Sequence, residues 1–246
     1  MNKTQILLAL VIISIFGVSV TFLDLSHIIA KRSNPTDTKR APKHGEVRQY
    51  TKDQRLKTIV NYYQGIKHGT SYLYHDDGET ILLAMPYING KREGVSKKYY
   101  EDGQLYASTS YQDDKIHGPR KTYYSNGQLK SVVNYGYGYA GVGTEEYLLE
   151  GTRKPENKIQ FEKIGDRYML STSEACTEIR FLIGQLIEDS FYDPSDKNVR
   201  LLPKENGVYF VDTEVFTPSY LKYQDIICSC SSSQGNPIIL KAKLIL

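Results

Sequence analysis

The stretch Gly94-Val95-Ser96-Lys97-Lys98-Tyr99-Tyr100-Glu101-Asp102-Gly103-Gln104-Leu105 is followed by a second copy, Gly118-Pro119-Arg120-Lys121-Thr122-Tyr123-Tyr124-Ser125-Asn126-Gly127-Gln128-Leu129. A third version opens at Gly69, with Tyr74 five residues on and Gly78 nine residues on. Each copy carries a further Tyr downstream, at Tyr87, Tyr111 and Tyr135. The starts are 25 and 24 residues apart, and self-similarity at such a period marks a repeat array whose units pack on their neighbours. Arrays of this kind bind or scaffold far more often than they catalyse.

One period upstream lies a weaker copy. Gly45 leads to Tyr50, and Leu56, Val60, Asn61 and Tyr62 align with Leu129, Val133, Asn134 and Tyr135, while Gln54 stands in the place of the turn Gly. A truncated fifth copy starts at Gly141 or Gly143 and ends near Gly151. The array therefore covers about 45–151, as four units and a fragment.

Each unit reads as two strands. Asp77-Gly78, Asp102-Gly103 and Asn126-Gly127 are two-residue hairpin signals of the type I′ kind, which needs positive φ at both central residues. After each turn, residues alternate with period two, as in Leu105, Ala107, Thr109, Tyr111. Counting back from Tyr87 puts the extra residue of the longer unit in the turn at Glu79-Thr80, because an insertion within the strand would flip every later side chain. Gln64-Gly65, Asn89-Gly90 and Asp113-Asp114 supply a second turn per unit. Stacked in order, the units form an antiparallel meander roughly 40 Å long. Its rows of tyrosine are expected to stack across strands and serve as its core.

The pattern Gly-x-x-x-x-Tyr-Tyr-x-Asp/Asn-Gly-Gln-Leu, at 94–105 and 118–129, resembles the variant form of the MORN repeat. The resemblance extends over 45–151, and bacterial chains carrying it are often described as YwqK-type antitoxins. It implies a β-hairpin repeat fold and, for function, neutralisation of a partner toxin by direct contact.

Beyond the array the composition changes. Of 21 tyrosines, 16 fall between residues 50 and 147, where no Phe occurs; Phe161, Phe181, Phe191, Phe210 and Phe216 all lie later. Residues 152–246 read as strands at Lys158–Ile164, Arg167–Ser171, Glu178–Ile187, Val208–Asp212, Asp225–Cys230 and Pro237–Leu246, a small β-sandwich. Ile179–Glu188 is equally readable as a short helix. The fold class is thus all-β: a MORN-like hairpin meander, then a β-sandwich-like domain, preceded by an N-terminal membrane helix.

That helix is expected in residues 1–23, where Ile6–Leu23 is free of charge. A shorter reading is a cleavable signal, with an apolar run Ile6–Phe16 ahead of Gly17-Val18-Ser19. Residues 24–43 form a basic, disordered linker carrying Lys31, Arg32, Lys39, Arg40 and Lys43. This flank argues for a cytoplasmic chain by the positive-inside rule. A segment so close to the N-terminus argues for export, which is the expectation here; the linker reads as a solvated, membrane-proximal tether in reach of anionic lipid.

Charge excludes nucleic acid as a partner. The array holds 13 basic and 13 acidic residues and 152–246 holds 12 and 13, so the whole positive balance arises before the folded parts. His44, His68 and His117 precede unit glycines, with Glu93 in the same place. Equivalent positions lie about 10 Å apart, too far to share a zinc ion, so no metal is expected. Cys228 and Cys230 lack a nearby His. They read as buried small hydrophobes, or as one partner of a disulfide to Cys176. The acidic pairs Asp76-Asp77, Glu101-Asp102 and Asp113-Asp114 are turn residues, not an acid and a base.

No catalytic residue and no cofactor is expected. The remaining candidate is the aromatic surface, since Tyr gives contact area at low entropic cost. In the plus-five row Tyr99 and Tyr123 recur with Tyr50 and Tyr74; in the plus-six row Thr51, His75, Tyr100 and Tyr124 vary. The expectation is a non-enzymatic, membrane-tethered protein binding a protein partner through Tyr100, Tyr124 and His75, with Tyr99 and Tyr123 beside them. An enzyme with its site in 152–246 is the remaining class.

Overall fold

A computed structural model describes residues 44–212 and 225–243. The expected membrane segment and the basic linker lie outside these residues. Among the described residues, no helix is long and apolar enough to cross a membrane.

The array begins with β1 (Gly45–Tyr50), β2 (Leu56–Tyr63), β3 (Ile66–Lys67) and β4 (Gly69–Tyr74). It continues through β5 (Ile81–Ile88), β6 (Lys91–Arg92), β7 (Gly94–Tyr99), β8 (Leu105–Gln112), β9 (Lys115–Tyr123) and β10 (Leu129–Gly136), then closes with β11 (Tyr139–Ala140) and β12 (Glu145–Glu146). These form one antiparallel sheet in the order β1-β2-β4-β5-β7-β8-β9-β10-β11, with β3 on β2, β6 on β5 and β12 on β10. The expected hairpin meander is therefore present.

Its turns are distributed differently from the sequence expectation. Gly103 N donates to Tyr100 O and Tyr100 N to Gln104 O, and the same pair recurs at Tyr124–Gln128. Gly103 and Gly127 have φ of 81° and 83°, whereas Asp102 and Asn126 keep negative φ. These are three-residue loops with one left-handed residue, not type I′ turns. Asp102 Oδ1 and Asn126 Oδ1 instead accept from the main-chain N–H two residues on, which holds them out of the left-handed region. Gln54 takes the left-handed place in the first unit at φ 62°. The type I′ turns lie at the other end of each unit: both residues of Gln64-Gly65, Asn89-Gly90, Asp113-Asp114 and Tyr137-Gly138 have positive φ. The fragment is a genuine repeat turn, since Leu148 N donates to Thr152 O and Gly151 N to Leu148 O.

Each hairpin also contains a bulge at an equivalent place. Lys98 opposes Ala107 and Tyr99 opposes Leu105, so Tyr106 is the extra residue. Lys57, Leu82 and Lys130 are extra in the other three units by the same count. One cross-strand rung nonetheless runs through the sheet: Gln49, Thr58, Leu73, Leu83, Lys98, Ala107, Thr122, Ser131, Glu146. The expected tyrosine core is replaced by small residues. Ser71, Ser96, Ala107, Thr122 and Ser131 are buried together with Ile59 and Val133, while Tyr50 is 52% exposed and Tyr74, Tyr99 and Tyr123 are half-buried. The hydroxyls of Thr122 and Ser131 bond across strands at 2.6 Å, so the band is satisfied at that end, whereas the buried Ser71 hydroxyl has no hydrogen-bond partner.

The second part contains β13 (Ile159–Ile164), β14 (Arg167–Thr172), β15 (Thr177–Gly184), β16 (Arg200–Leu201), β17 (Lys204–Glu205), β18 (Val208–Asp212), β19 (Asp225–Ser231) and β20 (Pro237–Ala242). Two four-stranded sheets result, β13-β14-β18-β17 and β16-β15-β19-β20. Leu170, Tyr209 and Val211 of one meet Phe181, Ile183, Ile226, Cys228, Ile238 and Leu240 of the other, which makes a sandwich core. The helical reading of Ile179–Glu188 gives way to β15, whose Phe181 pairs with Cys228. The opposite face of that sheet is buried as well: Leu182, Leu186, Ile227 and Ile239 pack against Ala140 and Val142 from the end of the array. Burial on both faces explains the unbroken apolar runs Phe181-Leu182-Ile183 and Ile238-Ile239-Leu240. Cys176 and Cys230 form a disulfide. Cys228 is a free, fully buried thiol that burial pushes up to about 12.

Array and sandwich belong to one compact unit, Lys43–Leu246. The rung ends on Glu146, only 8% exposed. Its Oε1 accepts from Asn236 Nδ2 at 2.6 Å and Ser232 Oγ at 2.5 Å, and its Oε2 from Lys154 Nζ at 3.3 Å. A buried carboxylate stays tolerable when its lone pairs are filled this way.

Candidate binding groove on the repeat array

The bulge and the three-residue loop together build a groove. Extra residues in a bulged strand are re-aimed relative to the pleat, and Leu82 and Tyr106 are both such residues. They line an open groove of about 550 Å³ with His75, Lys98, Tyr99, Tyr100, Glu101, Asp102 and Ser125. Tyr100 and Tyr106 meet edge-on with centroids 5.1 Å apart, and Lys98 Nζ stands 5.2 Å from the centre of the Tyr106 ring.

Plus-six side chains tie one unit to the next. The Tyr100 hydroxyl donates to Tyr123 O at 2.8 Å, and the Tyr124 hydroxyl to Tyr147 O at 2.8 Å. His75 Nε2 lies 3.3 Å from Tyr99 O, which makes Nε2 the protonated nitrogen. Three successive units thus repeat one contact, from a plus-six side chain to a plus-five carbonyl. Burial raises the Tyr100 phenol above its ordinary range, with further raising from Tyr106 and Asp102, so the phenol stays a neutral donor.

Of the residues singled out from sequence, His75, Tyr99 and Tyr100 come together in this groove. Tyr123 contributes its carbonyl, and Tyr124 occupies the next rung, where Gln234 of the sandwich reaches its hydroxyl at 3.4 Å. The plus-six row thus has a structural role in the sheet in addition to its partial exposure. Leu82 and Tyr106 escaped the sequence reading, because no residue pattern announces where the ladder skips.

A model of the MORN repeat variant matches residues 92–113 and 116–136. These two segments are MORN-variant repeats. The matched segments are the third and fourth units; the hairpins of the first two units share their bulge and rung, the second closing a loop one residue longer between His75 and Thr80. MORN repeats generally bind proteins or membranes. No curated protein matches the chain.

A second cavity, of about 350 Å³, lies where array and sandwich meet, lined by Glu146, Lys154, Asn157, Glu174 and Ser232 among others. Glu146 there is engaged by Asn236, Ser232 and Lys154. The junction network therefore serves the fold, whereas the MORN groove offers an unfilled aromatic surface with polar groups at its rim. Among the described residues, no three His, Cys, Asp or Glu side chains group as a metal site. His44 and His68 lie against Tyr63, with centroids 5.3 and 6.0 Å apart.

Proposed function

We propose that the chain is a non-catalytic binding protein, tethered to a membrane by its N-terminal segment, whose MORN array recognises a partner protein through the groove of His75, Leu82, Tyr99, Tyr100 and Tyr106. One observation carries this reading. The aromatic groove is open at the third unit, while the corresponding place one unit on is filled by the sandwich through Gln234. Tyr and small polar groups in a concavity suit protein contact, and the near-equal charges suit no polyanion. The Cys176–Cys230 disulfide supports placing the folded parts in an oxidising, extracytoplasmic compartment.

The test is photo-crosslinking in the native host from a benzoylphenylalanine placed at Leu82 or Tyr106, with Ile164, 49% exposed and outside the array, as control. A discrete adduct from the groove positions alone is expected. Identical adducts from Ile164, or none from the groove, would overturn the reading. Protease added to spheroplasts checks the compartment: digestion of the folded parts is expected, and full protection would place them in the cytoplasm.

A further inference from the structure

The sandwich supplies a template for what the open groove accepts. Residues Ser232–Asn236 connect β19 to β20, with Ser232 N donating to Asn236 O and Gly235 N to Ser232 O. Gly235 is left-handed at φ 76°. This is the three-residue loop of the array itself, with Gln234 in the place of Asp102 and Asn126. Gln234 Nε2 donates to Tyr147 O at 3.2 Å and to the Tyr124 hydroxyl at 3.4 Å. Tyr124 and Tyr147 are joined by the same 2.8 Å bond as Tyr100 and Tyr123 one repeat earlier. The Tyr100–Tyr123 rung therefore offers an equivalent pair of acceptors, yet no Asn or Gln is among the residues lining its groove.

The geometry points to a hairpin loop of a partner protein, carrying a carboxamide immediately before its left-handed glycine, as the occupant of this groove. The inference rests on the protein-recognition reading above and narrows it. The amide would donate to the Tyr100 hydroxyl and the Tyr123 carbonyl as Gln234 does to their counterparts. The flanking contacts must differ. Ser131 and Glu146, which hold Asn236 and Ser232, correspond one repeat earlier to Ala107 and Thr122. Ala107 brings no hydrogen bond, and Thr122 is already bonded to Ser131. The partner loop is thus recognised by its amide and by the apolar walls of Leu82, Tyr99 and Tyr106, with Lys98 at the rim.

The probe is a cyclic peptide, Ser-Ser-Ser-Gln-Gly-Asn-Pro, reproducing residues 231–237, titrated onto the full-length chain by calorimetry. Saturable binding is expected, weakened about tenfold when Gln is replaced by Met, the value of two weak hydrogen bonds. Tyr100→Phe in the protein removes one of the two acceptors and should weaken binding by a smaller factor. Leu82→Trp, which blocks the groove without touching that hydroxyl, should abolish binding even if Tyr100→Phe proves unstable. Equal affinity for the Gln and Met peptides, or no binding of either, overturns the proposal. In that event a groove-specific crosslink from Tyr106 would leave the protein-recognition reading standing, and its absence would remove both.

Discussion

The Tyr100 hydroxyl donates to the main-chain carbonyl of Tyr123, 2.8 Å away and one repeat further along the chain. A side chain thereby fastens each unit to its successor beyond the ladder itself. Removing only the oxygen tests its weight. Tyr100→Phe should lower unfolding free energy by about 1 kcal/mol, the net value of a neutral hydrogen bond. Tyr124→Phe should cost more, because Gln234 also loses a partner. Tyr63→Phe, at a residue 53% exposed, should stay within about 0.5 kcal/mol. Urea denaturation midpoints at constant m-value give the comparison, and equal midpoints for all three would deny the rung any weight.

Gly78 and Gly103 occupy equivalent left-handed positions at φ 75° and 81° but face different surroundings. A Cβ on Gly103 meets nothing within 4 Å, whereas one on Gly78 falls 3.0 Å from Arg55 Cβ and 3.0 Å from Leu56 N of the preceding unit. Gly103→Ala should therefore cost about 1–2 kcal/mol, the left-handed penalty alone. Gly78→Ala should cost clearly more, since main chain must shift. Thermal melts of both variants measure the difference.

Asn236 and Glu146 couple the array to the sandwich. Asn236→Ala removes one of three donors from a buried carboxylate, at an expected cost of about 1–3 kcal/mol. Hydrogen exchange should quicken at β10, β12 and β20 while the β1–β5 region keeps its protection. Uniform loss over the whole chain would mean that the junction is not a separable interface.

Cys228 should resist alkylation in the native chain, being buried with its thiol pushed up to about 12. After unfolding without reductant, mass spectrometry should find one alkylated cysteine; with reductant, three. Reduction opens the Cys176–Cys230 cross-link, which spans 54 residues, and should lower stability by about 2–4 kcal/mol.

Asp77 titrates low, at about 2 against an ordinary 3.8, because the Thr80 side chain and the main-chain N–H groups of Glu79 and Thr80 donate to its carboxylate. A depressed folded value means that the charged form is favoured by folding. Its stabilising effect is complete above about pH 4 and fades as the pH falls towards about 2. Asp77→Asn should flatten that part of the stability profile, measured by melting temperature against pH. An unchanged acid limb would show that other carboxylates set it.

The repeat and its strand pairs were open to reading from the sequence, because a 24-residue period with a Gly and a Tyr at constant offsets is a local signal. So were three of the groove residues, His75, Tyr99 and Tyr100, which fall at the plus-five and plus-six offsets of their units. Turn type was misassigned because Asp102-Gly103 and Asn126-Gly127 suit two loop geometries, and the choice depends on how the ladder closes around Tyr100–Gln104 and Tyr124–Gln128. The bulge at Tyr106 was invisible for a related reason: which residue is left unpaired is decided by the register with Lys98 and Tyr99, not by Tyr106 itself. Only the tertiary structure could bring Gln234 to Tyr124, or Cys230 to Cys176, across 110 and 54 residues. Such contacts depend on the packing of a whole sheet against the end of the array, for which no periodicity in the chain is a record.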